Sequence, residues 1–261
     1  MSYSTLKFEK NNETATILFA RPEIHNAFDE TLIAEMTDVI DVLTADSNCR
    51  VVIITGQGKS FCAGADLNWM RAVLKKGYEE NLKEANELAE LFHKIYCLRV
   101  PLIGKINGAA IGGGVGFVAL CDIAYAASTA IFSFSEVKIG VVPACISPYV
   151  IKKIGEGKAR ELFITGERMN AQRALEVGLI NKVVEDDRLN EAVDALAESI
   201  LSSGPEAVAV AKKMVGEVPS MSPEQFKPHT AEIIARLRMS DEAQEGMDAF
   251  LNKRKPSWVK D

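Results

Sequence analysis

One succession constrains this chain more than any other feature: a short apolar run, then a glycine-bearing turn, then a segment with helical spacing. Val51–Thr55 (VVIIT) leads into Gly56-Gln-Gly-Lys-Ser-Phe-Cys-Ala-Gly-Ala-Asp-Leu67 and the helix-like LNWMRAVL. Leu102–Ile106 (LIGKI) leads into Asn107-Gly-Ala-Ala-Ile-Gly-Gly-Gly-Val-Gly116 and an apolar helical run ending at Cys121-Asp122. Short β-branched runs bounded by polar turns suit strands of a buried parallel sheet. Leu6–Lys10 and Thr14–Ala20, split by an Asn-Asn turn, read as further strands, as does Asp122–Ala126. Asp29–Ala45 carries Leu32, Ile33, Met36, Ile40 and Leu43 at helical spacing. Strand and helix alternating in this way predict an α/β fold of βαβ units with right-handed crossovers.

The last third changes character. From Lys158 onward helical periods dominate, with Leu189, Val193, Leu196 and Ile200 in one stripe. Pro205–Val215, Pro223–Leu237 and Asp241–Asn252 read as helices, the first two with proline at the start. No internal repeat, low-complexity tract or long linker separates the regions. The expected division is a core over 1–195 and a helical C-terminal region over 196–261.

Composition narrows the function classes. With 261 residues, 48% hydrophobic and 25% charged, the chain is globular and long enough to bury a core without staples. A formal net charge of −6 speaks against a nucleic-acid partner. The cysteines Cys49, Cys62, Cys97, Cys121 and Cys145 form no CxxC, and His25, His93 and His229 form no HExxH. Neither a disulfide framework nor a metal site is expected, and a reducing compartment follows. The N-terminus has no apolar signal core and no stretch reaches membrane-spanning length, so the expectation is a cytoplasmic protein without a membrane partner.

Three stretches carry chemistry. Gly64 gives the backbone freedom that lets Ala65 present its N–H, and Asp66 fits a helix N-cap. Gly112–Gly114 open a helix, where close approach lets backbone N–H groups bind an oxygen, although close helix–sheet packing explains the same glycines. A phosphate loop GxxxxGK[ST] is absent, and no acidic residue completes a dinucleotide fingerprint. In Phe132-Ser-Phe-Ser-Glu-Val-Lys-Ile-Gly-Val-Val-Pro143, Glu136 stands among apolar residues, where desolvation raises a carboxyl pKa toward acid/base use.

Together these stretches resemble the enoyl-CoA hydratase/isomerase (crotonase) family over essentially the whole chain. RPEIHNAF (Arg21–Phe28), FCAGADL (Phe61–Leu67), NGAAIGGG (Asn107–Gly114), SEVKIGVVP (Ser135–Pro143) and AFLNKRKPSW (Ala249–Trp258) fall in the family's order. The resemblance implies a crotonase-like spiral of ββα units with a helical C-terminal trimerisation region, in a homotrimer or homohexamer. It implies that the N–H groups of Ala65 and Gly113 form an oxyanion hole for the thioester oxygen of an acyl-CoA. Ala63, Asp66, Leu67 and Asn68 match the segment lining the CoA and acyl channel, and Arg21, His25 and Lys253 match CoA contacts. CoA enters as part of the substrate, with no separate cofactor.

One departure matters. Hydratases of this family that use two glutamates carry the first where this chain has Gly116, while the second matches Glu136. Gly116 is therefore expected to leave space for a water or a bulkier acyl group. The resemblance implies hydration of a 2-enoyl-CoA, and the text around the motifs resembles hydratases of branched 3-methylglutaconyl-type substrates in leucine breakdown. A Δ3-Δ2 enoyl-CoA isomerase needs one glutamate and stands as the alternative, followed by decarboxylation of a malonyl-type thioester. A non-catalytic relative binding acyl-CoA or RNA is a further class, and the acidic charge opposes its RNA form. Trp69, Met70 and the Pro143–Tyr149 stretch are candidate pocket walls.

Overall fold

The computed structural model describes residues 3–259, and its backbone winds as a spiral. Strands β1 (Leu6–Asn11) and β2 (Thr14–Phe19) form an antiparallel hairpin, with Asn12 at φ 53° in the expected Asn-Asn turn. Helix α1 (Glu30–Ala45) follows, capped by the Asp29 carboxylate, which accepts from the Leu32 N–H. Three passes then lay down two strands each: β3 (Val51–Gly56) with β4 (Ser60–Cys62), β5 (Leu102–Ile106) with β6 (Ala109–Ile111), and β7 (Ile123–Ala127) with β8 (Ile131–Ser133). Helices α2 (Leu67–Val73) and α3 (Tyr78–Tyr96) close the first pass, and α4 (Gly113–Leu120) closes the second. After β8 come α5 (Ser147–Thr165), β9 (Arg168–Asn170), α6 (Ala171–Glu176) and β10 (Lys182–Val184).

The first strand of each pass joins a six-stranded sheet in the order β1-β2-β3-β5-β7-β10, parallel from β2 onward. The second joins a smaller sheet, β4-β6-β8-β9, in which only β9 runs antiparallel. This is the expected ββα spiral. Three-residue strands carry no periodicity of their own, so β4 and β6 read in the sequence as parts of turns and β8 is not distinguished there.

Strand β3 shows why the large sheet forms. All six of its residues are buried, and alternate side chains serve different cores. Val52 and Ile54 enter the main cluster with Phe19, Leu32 and Phe61. Val51 and Ile53 enter a second cluster with Ile103 of β5 and with Val193 and Ala197 of α7 (Leu189–Leu201). Period-2 alternation under helices on both faces gives each of these residues about 1.5–3 kcal/mol of burial. An aromatic knot anchors α4 in the main cluster: Phe117 lies 5.1 Å from Phe19, 5.9 Å from Phe28 and 5.2 Å from Phe92 between ring centroids.

Helix α7 runs unbroken through 195/196 and ends at Leu201. The C-terminal helices α8 (Pro205–Glu217), α9 (Pro223–Arg238) and α10 (Asp241–Leu251) match their expected positions, with Pro205 and Pro223 at helix starts. The buried Arg50 guanidinium ties this region to the core by donating to the carbonyls of Leu201 (2.9 Å), Ser203 (2.6 Å) and Trp258 (3.4 Å). Among the described residues, no helix is long and apolar enough to cross a membrane.

Candidate active site

The site lies where the two glycine-bearing turns meet. Phe28 and Ala65 form a parallel bridge in which the Phe28 N–H donates to the Gly64 carbonyl and the Asp66 N–H donates to the Phe28 carbonyl, each at 2.8 Å. Backbone amides alternate along an extended segment, so the Ala65 N–H points away from this bridge, and no acceptor among the described residues takes it. Gly113 is the first residue of α4, where an amide has no partner within its helix. The two turns touch: a methyl on Gly64 would stand 2.7 Å from the Ile111 carbonyl oxygen and 3.6 Å from the Gly113 nitrogen. Gly64 has φ +89°, so only glycine holds this approach without strain. Two amides without an acceptor among the described residues, one of them at a helix N-terminus, thus stand on turns that touch.

Glu136 sits opposite, in the 3-10 turn Ser135–Ile139 that follows β8. A methyl on Gly112 would lie 3.4 Å from its Oε1, which puts the carboxyl at the mouth of α4. Its Oε2 is buried and has no hydrogen-bond partner among the described residues. Burial disfavours the ionised form and holds this carboxyl above the usual carboxylate range. A group poised in this way can both accept and return a proton.

The other residues singled out in the sequence fall into three groups. Asp66 is buried and caps α2, accepting from Asn68 N–H (2.7 Å) and Trp69 N–H (3.3 Å), as its place in the sequence predicts. Ala63 donates its N–H to the His25 carbonyl at 3.0 Å, and His25 Nδ1 stands 3.0 Å from Ser60 Oγ. Leu67 and Asn68 are exposed on the rim of the same loop.

Arg21 and Gly116 depart from expectation. The Arg21 guanidinium is engaged by Asp29 (2.7 Å), Asp66 (3.1 Å) and the Ala27 carbonyl (3.2 Å), so it braces the loops instead of standing open to a phosphate. Gly116 leaves no void: a methyl there would overlap Ile146 Cγ2 and lie 3.4 Å from the Phe92 ring. The place of a first glutamate is filled by hydrocarbon. Lys253, at φ 54° beyond α10, is exposed, and none of its contacts reaches the loops that carry the other ten residues.

Two residues of the quoted motifs hold the site without having been singled out. Asn26, fully buried at φ 58°, donates to the carbonyls of Gln57 (2.9 Å) and Ser60 (2.7 Å) and accepts from the Arg21 N–H (3.0 Å). Asn107 accepts from the Gly56 N–H and donates to the Gly58 carbonyl, both at 3.0 Å. Their sequence signal is an asparagine beside a glycine-rich or turn segment, where a side-chain amide substitutes for missing backbone partners.

Comparison with known proteins agrees with this geometry. The model of the enoyl-CoA hydratase/isomerase family matches residues 9–261. A putative enoyl-CoA hydratase of Thermus thermophilus is 32% identical over 247 residues, spanning 95% of this chain and 98% of that protein. The crystal structure of a putative enoyl-CoA hydratase/isomerase (crotonase) from Legionella pneumophila superposes with a TM-score of 0.94 at 42% identity, covering 99% of this chain and 100% of the other. That of an enoyl-CoA hydratase from Shewanella pealeana gives 0.93 at 39% identity, covering 98% and 96%. With its spiral fold, paired amides and facing glutamate, the chain belongs to the enoyl-CoA hydratase/isomerase family.

Proposed function

We propose that this protein adds water to a 2-enoyl-CoA, with Glu136 as the one acid/base group and the Ala65 and Gly113 N–H groups as the oxyanion hole. The observation that carries the reading is the half-buried Glu136 beside Gly112, its Oε2 buried and without a partner among the described residues, near two amides without an acceptor there. The thioester oxygen accepts from both amides, which are already fixed in place and stabilise the enolate without reorganising. Glu136 takes a proton from water as its oxygen bonds to the β carbon, and electron density moves through the α carbon onto the thioester oxygen. The protonated Glu136 then delivers that proton to the α carbon as the enolate collapses, so both new bonds form on one face.

The favoured substrate class is a branched, 3-methylglutaconyl-type enoyl-CoA, supported by the motif text around Gly116 and Glu136. The isomerase reading keeps one specific support: hydrocarbon fills the place of a first glutamate, and moving a proton between the γ and α carbons needs a single carboxylate. Arg21, His25, Ala63, Asp66, Leu67, Asn68, Gly116 and Lys253 stand as proposed substrate-binding or bracing positions. Glu136→Gln is expected to lower hydration about 10²–10⁴-fold while acyl-CoA binding survives. Near-normal hydration by this variant removes Glu136 from the mechanism. A wild type that hydrates no 2-enoyl-CoA but interconverts 3-enoyl and 2-enoyl thioesters decides for the isomerase.

We further propose assembly as a homotrimer or homohexamer. The C-terminal helices leave Val215, Met239, Phe250 and Leu251 between 70% and 83% exposed, apolar side chains suited to burial against further copies of the chain. Light scattering is expected to give a multiple of 28.5 kDa, and a stable monomer at micromolar concentration overturns the assembly.

A further inference from the structure

Beside the site, helix α2 holds a buried donor that finds no acceptor among the described residues. Trp69 lies on α2, four residues past Ala65, and Asp66 holds its backbone N–H, so the indole and the first oxyanion amide are fixed to one short segment. Its ring packs 5.9 Å from Phe28 at 57°. The same Phe28 ring lies against the second amide, since a methyl on Gly113 would stand 2.6 Å from it. Trp69 is therefore one ring away from the oxyanion hole. Neighbouring Leu67 and Asn68 are exposed, whereas Trp69 is half-buried and packs against the main core.

The indole Nε1 is shut off from solvent, and no acceptor among the described residues takes its hydrogen. A buried donor without a partner is costly, and a phenylalanine would supply much of the same apolar contact without that cost. The retained N–H calls for an acceptor that arrives with the ligand.

We infer that Trp69 is the specificity-determining residue of the acyl pocket, its indole N–H donating to an oxygen carried by the acyl chain beyond the β carbon, such as the terminal carboxylate of a glutaconyl-type thioester. This deepens the enoyl-CoA reading above and rests on it. Thioesters with a plain hydrocarbon tail leave the donor unmet. Those with a terminal carboxylate form a charge-assisted hydrogen bond there, away from the reacting carbons.

The test compares wild type and Trp69→Phe on crotonyl-CoA and 3-methylglutaconyl-CoA, with thermal unfolding checked for both proteins. The variant is expected to lose about 10- to 100-fold in kcat/KM on 3-methylglutaconyl-CoA, chiefly through KM, and to lose clearly less on crotonyl-CoA, so that the ratio of the two falls. Equal losses on the two substrates make Trp69 a structural residue and overturn the inference. A wild type that prefers 3-methylglutaconyl-CoA while Trp69→Phe keeps that preference also overturns it, yet leaves the substrate class standing. A wild type that hydrates crotonyl-CoA alone overturns the substrate class and this inference together.

Discussion

The two sides of the site are built in opposite ways. The side proposed to hold the oxyanion is made of backbone and is heavily braced: Asn26, Asn107, Arg21 and Asp66 tie its loops through hydrogen bonds that span up to about fifty residues. The carboxylate side is one glutamate on a five-residue 3-10 turn, with a buried oxygen unpartnered and Ile139, Val141 and Val142 exposed beside it. In the proposed reaction the first side holds two amides still while charge develops on an oxygen. In the same proposed reaction the second changes protonation state twice per turnover, and a carboxyl satisfied by fixed donors would hold its charge and lose that ability. Rigidity on one side and an unsatisfied group on the other follow from what each contributes to catalysis.

The largest effect expected from breaking this contrast comes from the braced side. Gly64→Ala forces a side chain into φ +89° and sets a methyl 2.7 Å from the Ile111 carbonyl, so the segment carrying the Ala65 amide must shift. Losing one oxyanion donor costs about 10²–10³-fold in rate, and backbone strain of this kind costs about 1–3 kcal/mol of stability. The expected outcome is a kcat/KM lower by at least about 10² together with a lower Tm, measured by steady-state hydration and thermal unfolding. Wild-type kinetics in a folded Gly64→Ala variant would show that the position of this amide does not matter.

The strongly periodic parts of the molecule were legible in the sequence. VVIIT and LIGKI lie within β3 and β5, and Pro205 and Pro223 mark the starts of α8 and α9, because local composition decides those segments. Asp66 as a cap and Glu136 among apolar residues were legible for the same reason. What escaped depends on contacts distant in sequence. The small sheet is made of three-residue strands whose pairing is fixed only by the spiral. The emptiness expected at Gly116 is removed by Ile146, thirty residues on, and the free charge expected at Arg21 is taken by Asp66, forty-five residues on. A motif gives the type of residue at a position, whereas its neighbours there are set by tertiary packing.

The smallest expected effect sharpens the contrast by having the opposite sign. Burial raises the Glu136 carboxyl pKa in the folded state, so ionising it there costs more than in the unfolded chain. Stability associated with this group is fully present below the unfolded pKa and is lost as pH rises through the folded one. Glutamine has the same shape and never ionises, so it escapes the loss. Glu136→Gln is therefore expected to unfold at a higher Tm than wild type at pH 8, by on the order of a few degrees, and at nearly the same Tm at pH 4. Thermal unfolding of both proteins at the two pH values measures it. A shift of equal size at pH 4 and pH 8 would assign the effect to packing, and a lower Tm at pH 8 would mean that the ionised carboxylate is satisfied in the fold. With the expected sign, one substitution abolishes turnover and stabilises the protein, while Gly64→Ala weakens both. The carboxylate side then holds a group kept against the stability of the fold because the reaction needs it.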